Sequence, residues 1–278
     1  MLDKVKSKSV FHCNYTITPY VGCEYGCVYC RKCIEAVTPE KSPDTILIKD
    51  DAPNILRKEL KSAKKALVCI SGYQQVENEK RIIRKTLEIL SMRRFPVHII
   101  TRSDIVLEDI DILRKIAEDS WCAVSFCINT LDEAISHIFE PHAPSPKQRI
   151  KALGKVAEAG IPTGIALMPI IPYITDSKEQ LEKVISTAAD MKAGYALAAP
   201  LKLEDEYRAR VIQVIKRHFS KLLARYRKMY EFGPLPDVRY SRELKRKIRP
   251  LLDRYDLPEG IEPTYNLRKT KQVRIENY

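Results

Sequence analysis

Short apolar runs recur along the chain with amphipathic segments between them, and this alternation limits the fold more than any other feature. The runs "KALVCIS" (65–71), "VHIITRS" (97–103), "WCAVSFCIN" (121–129), "IPTGIALMPII" (161–171) and "GYALAAPL" (194–201) read as buried strands. A sixth, "NYTITPY" (14–20), precedes them. Helical periodicity falls between, near 52–63, 79–93, 106–119, 130–139, 146–159, 177–190 and 204–232. Strand followed by helix, repeated about six times, favours parallel strands joined by right-handed crossovers. The expected fold is α/β, a (β/α)6 partial TIM barrel, short of the eight units of a closed barrel and carrying its ligand loops at the carboxyl ends of the strands. Residues 1–201 would form this core. Residues 202–278 would be a basic, mainly helical extension, broken by "FGPLPD" after 232, helical again near 240–256 and irregular at the end.

Composition narrows the setting. With 278 residues and 45% hydrophobic content the chain can bury a large core. No uncharged apolar run of about 18 residues occurs, and "MLDKVKSKSV" lacks the apolar middle of a secretory signal, so the expectation is a cytoplasmic protein with no membrane contact. In a reducing compartment close-set cysteines are metal ligands rather than disulfides. Residues 201–278 hold 20 Lys and Arg against 11 Asp and Glu, a net +9 of the total +12. That tail is either a solvated helical surface or a contact for a polyanion such as nucleic acid.

Four of the eight cysteines lie within "CEYGCVYCRKC" (23–33). Cys23, Cys27 and Cys30 have the spacing C-x3-C-x2-C on a loop that leaves a strand, and Gly22 and Gly26 allow the backbone to curl. Three thiolates so placed wrap one face of a [4Fe–4S] cluster and leave the fourth iron without a protein ligand. The alternative is a structural zinc or a saturated cluster with Cys33 or Cys13 as fourth ligand, although no second C-x2-C knuckle follows at zinc-ribbon distance.

This spacing, with Tyr29 before the last cysteine, resembles the radical S-adenosylmethionine (SAM) superfamily. The stretches "YTITPYVGCEYGCVYC", "TRSDIVLEDIDIL", "VSFCINTLD", "FEPHAPSPKQRIKAL", "AGIPTGIALMPIIPYITD" and "GYALAAPLKL" are similar to segments of its spore photoproduct lyase-like, or DNA repair photolyase-like, branch. The resemblance implies SAM chelated to the open iron, an external one-electron reductant of flavodoxin or ferredoxin type, and reductive cleavage to a 5′-deoxyadenosyl radical. Carried over by position, it implies cofactor contacts at Tyr29, Arg102, Ser125, Asn129, Arg149 and Met168. Arg102 would pair the SAM carboxylate with its forked guanidinium.

Competing readings stand beside several of these. Ser125 and Asn129 also suit polarity inside the barrel, and Arg149 follows Ser145-Pro146, a good N-cap and N1 pair. Glu140 and His142 are further polar candidates in the same block. Cys69 lies near the position of a hydrogen-donating cysteine in spore photoproduct lyase, and equally reads as a small buried hydrophobe. The following "SGYQQ" departs from the family at Ser71 and Gly72. Cys122 and Cys127 point to opposite faces of one strand and read as core, Cys13 with His12 is a weak second metal site, and Trp121 reads as barrel wall. The function expected is a radical SAM enzyme of unspecified substrate. The alternative is a nucleic-acid-binding protein with a structural zinc or saturated iron–sulfur site.

Overall fold

The computed structural model describes residues 1–5, 11–30, 46–261 and 263–264, so Cys33 and the last fourteen residues lie outside it. Seven strands form one sheet: β1 (Leu2–Lys4), β2 (Tyr15–Ile17), β5 (Val68–Ile70), β6 (Val97–Thr101), β7 (Cys122–Cys127), β8 (Thr163–Ile170) and β9 (Ala196–Pro200), hydrogen-bonded in that order. β1 is antiparallel to β2, and every later neighbour is parallel. A two-stranded ribbon, β3 (Tyr20–Val21) with β4 (Leu47–Ile48), stands apart. Six parallel strands joined by helical crossovers make the (β/α)6 partial barrel, open where β9 ends the sheet.

The crossovers are α1 (Ala52–Glu59), α2 (Glu77–Lys80) with α3 (Ile82–Met92), α4 (Ile110–Asp119), α5 (Glu133–Phe139) with α6 (Pro146–Glu158), and α7 (Lys178–Asp190). The segment 79–93, expected as one helix, is broken at Arg81, whose φ of 53° is left-handed. The buried Glu77 carboxylate then accepts from the Ile83 and Arg84 amides at 2.9 and 3.2 Å, filling the role of a cap for α3. At α6 the Ser145 hydroxyl and Gln148 side chain form a reciprocal capping box, with Pro146 in the first turn.

Period-two alternation sorts the strand side chains. Val68, Ile70, Val97, Ile99, Val124, Phe126, Ile165 and Leu167 pack outward beneath the helices, while Leu67, Ala123, Cys127, Ala166, Tyr195 and Leu197 fill the lumen. The lower lumen is solid. His98 Nε2 lies 2.8 Å from Ser125 Oγ, which lies 2.8 Å from the Tyr195 hydroxyl, and Phe11 and Trp121 meet the His98 ring edge-on. Trp121 therefore packs inside the barrel. Burial lowers the His98 pKa to about 4, so the ring is neutral. Gly164 is forced by this plug, because a Cβ there would stand 2.4 Å from the Tyr195 ring.

The extension comprises α8 (Asp205–His218), a 3-10 turn (Ser220–Leu222), α9 (Leu223–Met229) and α10 (Val238–Arg254). The segment 204–232 is thus two helices, parted at Phe219 by non-helical angles. Tyr226, Tyr230 and Tyr240 reach back to Pro172 O, Leu201 O and Asp176 Oδ2 at 2.7, 2.8 and 2.8 Å. Their rings join the same apolar cluster as the outer layer of the barrel.

Candidate active site

The loop after β2 and β3 carries Cys23, Cys27 and Cys30 at the carboxyl end of the barrel. Gly22 and Gly26 take φ of 98° and 61°, angles that favour glycine. A Cβ on Gly26 would also press on His142 at 3.2 Å. Distant segments pin this loop: Glu24 N donates to Gln74 Oε1 at 2.9 Å, Val28 N to Phe139 O at 3.0 Å, and His142 N to Tyr25 O at 3.2 Å. Gln74 belongs to the strand-end loop where the sequence departs from the family, yet it still supports the cysteines. Cys27 is buried, and Cys23 and Cys30 are partly exposed.

Among the described residues no three His, Cys, Asp or Glu side chains close on one point as ligands of a single ion would.

Beside the loop a cavity of about 550 Å³ is lined by Tyr29, Cys30, Arg102, Cys127 and Met168, with Pro200 and Leu235 on its open side. Behind its wall Glu140 is shared by two arginines: Arg102 Nε at 3.1 Å and Arg149 Nη1 at 2.5 Å. The Tyr29 hydroxyl also donates to Glu140, and Asn129 Nδ2 donates to the Tyr29 oxygen at 3.3 Å. Arg102 lies over the Tyr29 ring, 5.7 Å from its centroid, and donates to Met168 O at 3.2 Å. Burial acts to raise the Glu140 pKa, but the charges of Arg149 and Arg102 outweigh it and hold the carboxyl below its usual range. Burial, then the adjacent Glu140 charge, raises the Tyr29 phenol well above its usual range.

Tyr29, Arg102 and Met168 thus line the cavity. Asn129 and Arg149 stand behind it and act through Tyr29 and Glu140, with Arg149 also donating to Cys127 O at 3.1 Å. Ser125 is elsewhere: it faces inward one layer below Cys127, inside the lumen plug. Cys69 is bonded to Cys13, their Cα atoms 5.7 Å apart, and does not line the cavity. In that pairing its sulfur has no hydrogen to give. The parallel register of β2 on β5, with Thr16 opposite Cys69, draws the chain before β2 alongside β5, so Cys13 is a disulfide partner rather than a metal ligand. Sequence reasoning missed Cys127 as a cavity residue. Its odd separation from Cys122 revealed opposite faces, but not which of them was the lumen. Burial pushes the Cys127 thiol up, so it stays protonated.

An open parallel barrel with a three-cysteine loop at its carboxyl rim is the architecture of the SAM-dependent iron–sulfur enzymes. The sequence pattern of the radical SAM superfamily matches residues 17–185, and the chain belongs to that family. It is 25% identical over 273 residues to an uncharacterized protein of Mycobacterium tuberculosis, covering 94% of this chain and 80% of that one. To an uncharacterized protein of Methanocaldococcus jannaschii it is 30% identical over 166 residues, 59% of this chain and 62% of that one. Its fold is similar to spore photoproduct lyase complexed with dinucleoside spore photoproduct, with TM-score 0.65, 17% identity, and coverage of 92% and 76% of the two chains. Streptococcus suis SuiB bound to SAM matches with TM-score 0.52, 17% identity, and coverage of 76% and 47%. The family's cofactors are SAM and an iron–sulfur cluster. Among the described residues no helix is long and apolar enough to cross a membrane.

Proposed function

We propose that the chain holds a [4Fe–4S] cluster on Cys23, Cys27 and Cys30, binds SAM in the adjoining cavity, and directs the resulting radical at a C–H bond of an anionic substrate. The observation that carries this reading is the meeting of Cys30, Tyr29 and Arg102 in one cavity wall. When bound, the cluster supplies the electron that splits SAM, taken in turn from a flavodoxin- or ferredoxin-type reductant.

The protein's own part is binding and orientation. Arg102 and Arg149 share one carboxylate, so the group carries a net positive charge at the wall, suited to the carboxylate of SAM. Met168 O and the Tyr29 ring fix the direction of Arg102. Cys127 presents a protonated thiol to the same space. The described part of residues 1–201 serves as the reaction barrel, and from the basic extension that follows Lys202, Tyr207 and Leu235 complete the cavity. The net +9 of residues 201–278 supports an anionic substrate, nucleic acid included.

Anaerobic reconstitution followed by dithionite and SAM tests the reading. Formation of 5′-deoxyadenosine, with an electron-spin signal of the reduced cluster that SAM perturbs, is the expected result. Loss of both in a protein that retains its iron would overturn it.

A further inference from the structure

We propose that an extended acidic peptide docks along the edge of β9 against α10 and delivers its next residue to the cavity, a step that rests on the radical reading of that cavity. A groove of about 710 Å³ runs between Ala198–Pro200 and α10. Pro200, Ala199 and Leu235 line both this groove and the cavity, so the two spaces adjoin at these residues.

The edge of β9 already accepts one extended segment. Ala196 N donates to Pro258 O at 3.0 Å and Gly260 N donates to Ala196 O at 2.7 Å, a parallel bridge centred on Glu259. Two residues on, the strand period turns the Ala198 N–H and C=O the same way, into the groove. Among the described residues neither has a partner on that side. An entering strand would pair there and stop at Pro200, which has no N–H, at the lip of the cavity.

Charge and lining select the occupant. Arg242, Lys245 and Arg249 fall at intervals of three and four on α10, hence on one face, and all three line the groove with apolar Leu244 and Ile248, outnumbering its one carboxylate, Glu259. Acidic side chains alternating with aliphatic ones meet both surfaces. A nucleic-acid strand would meet the cations, but it has no backbone ladder for a strand edge, and no aromatic ring stands among the described lining residues for its bases to stack on. The chain's own residues 265–278, with four Lys and Arg against one Glu, carry the wrong charge.

The test is fluorescence anisotropy on the full-length, cluster-loaded protein under anaerobic conditions. The probe is a short fluorescein-labelled peptide alternating valine and glutamate. The same peptide N-methylated at alternate residues, a valine–lysine peptide, and single-stranded DNA and RNA of equal charge serve as competitors. We expect the acidic peptide to bind, alternate N-methylation to weaken it about tenfold, and Arg242→Glu with Lys245→Glu to remove binding. Ala198→Pro, which replaces the edge N–H by a ring carbon, should act like N-methylation, with an unchanged Tm showing that β9 is intact. Tighter binding of DNA or RNA, indifference to N-methylation, or no binding of the acidic peptide would each overturn the proposal. 5′-Deoxyadenosine formation by the unaltered protein in the same preparation reports separately on the radical reading.

Discussion

The Arg102 guanidinium and the Glu140 carboxylate meet at 3.1 Å behind the cavity wall, while Arg149 holds the other carboxylate oxygen at 2.5 Å. Arg102 keeps a fifth of its side chain exposed and the other two groups keep about a hundredth, so the pair points one charge into the cavity from a dry anchor. Glu140→Gln would leave two buried guanidinium groups against a neutral amide. The expected cost is about 3–5 kcal/mol of folding stability, read from urea midpoints. A loss below about 1 kcal/mol would mean that the network is solvated and holds nothing in place.

Substitution of Cys23, Cys27 or Cys30 by alanine should each abolish cluster absorbance and 5′-deoxyadenosine formation. Cys33→Ala should retain both, because an open iron requires three protein ligands and no fourth. Iron analysis of the four variants separates this from a saturated site, in which Cys33→Ala would lose or alter the cluster.

Gly164→Ala places a methyl group 2.4 Å from the Tyr195 ring inside the lumen plug. Tyr195 is held by Ser125 and cannot move without breaking that bond. Overpacking at such a site costs about 1–3 kcal/mol, and differential scanning calorimetry should show a lowered Tm. An unchanged Tm would mean the plug is looser than its geometry.

His98 titrates near pH 4 in the folded chain against 6.5 for the free side chain. Between those values the unfolded state binds the proton and the folded state does not, so stability falls as pH drops from about 6.5 to 4, by on the order of 3 kcal/mol. His98→Gln should flatten that slope in urea titrations, whatever it does to stability at neutral pH. A slope identical to that of the parent would place the acid sensitivity elsewhere.

Strand existence was readable because apolar runs such as 122–127 and 163–170 are long and flanked by turns, and the spacing of Cys23, Cys27 and Cys30 singled out their loop. Depth was not readable. Period two tells which face Ser125 and Cys127 share, yet not that one lies in a solid plug and the other on a cavity. The Cys13–Cys69 bond joins positions 56 residues apart through the register of β2 on β5, which no local pattern encodes. Glu140 was visible as a polar candidate, but its place between Arg102 and Arg149 depends on the packing of a loop against two strand ends.

The cysteine loop owes its shape to residues made much later. Val28 leans on Phe139, Gly26 abuts His142, and the Gly26 carbonyl accepts from Arg210 at 3.5 Å. On a ribosome the thiols emerge early but find these supports only once half the chain has been made, and the last of them later still. Metal loading is therefore a late event in biogenesis, and shortened chains that end before residue 139 should carry all the sulfur donors without the cradle that arranges them.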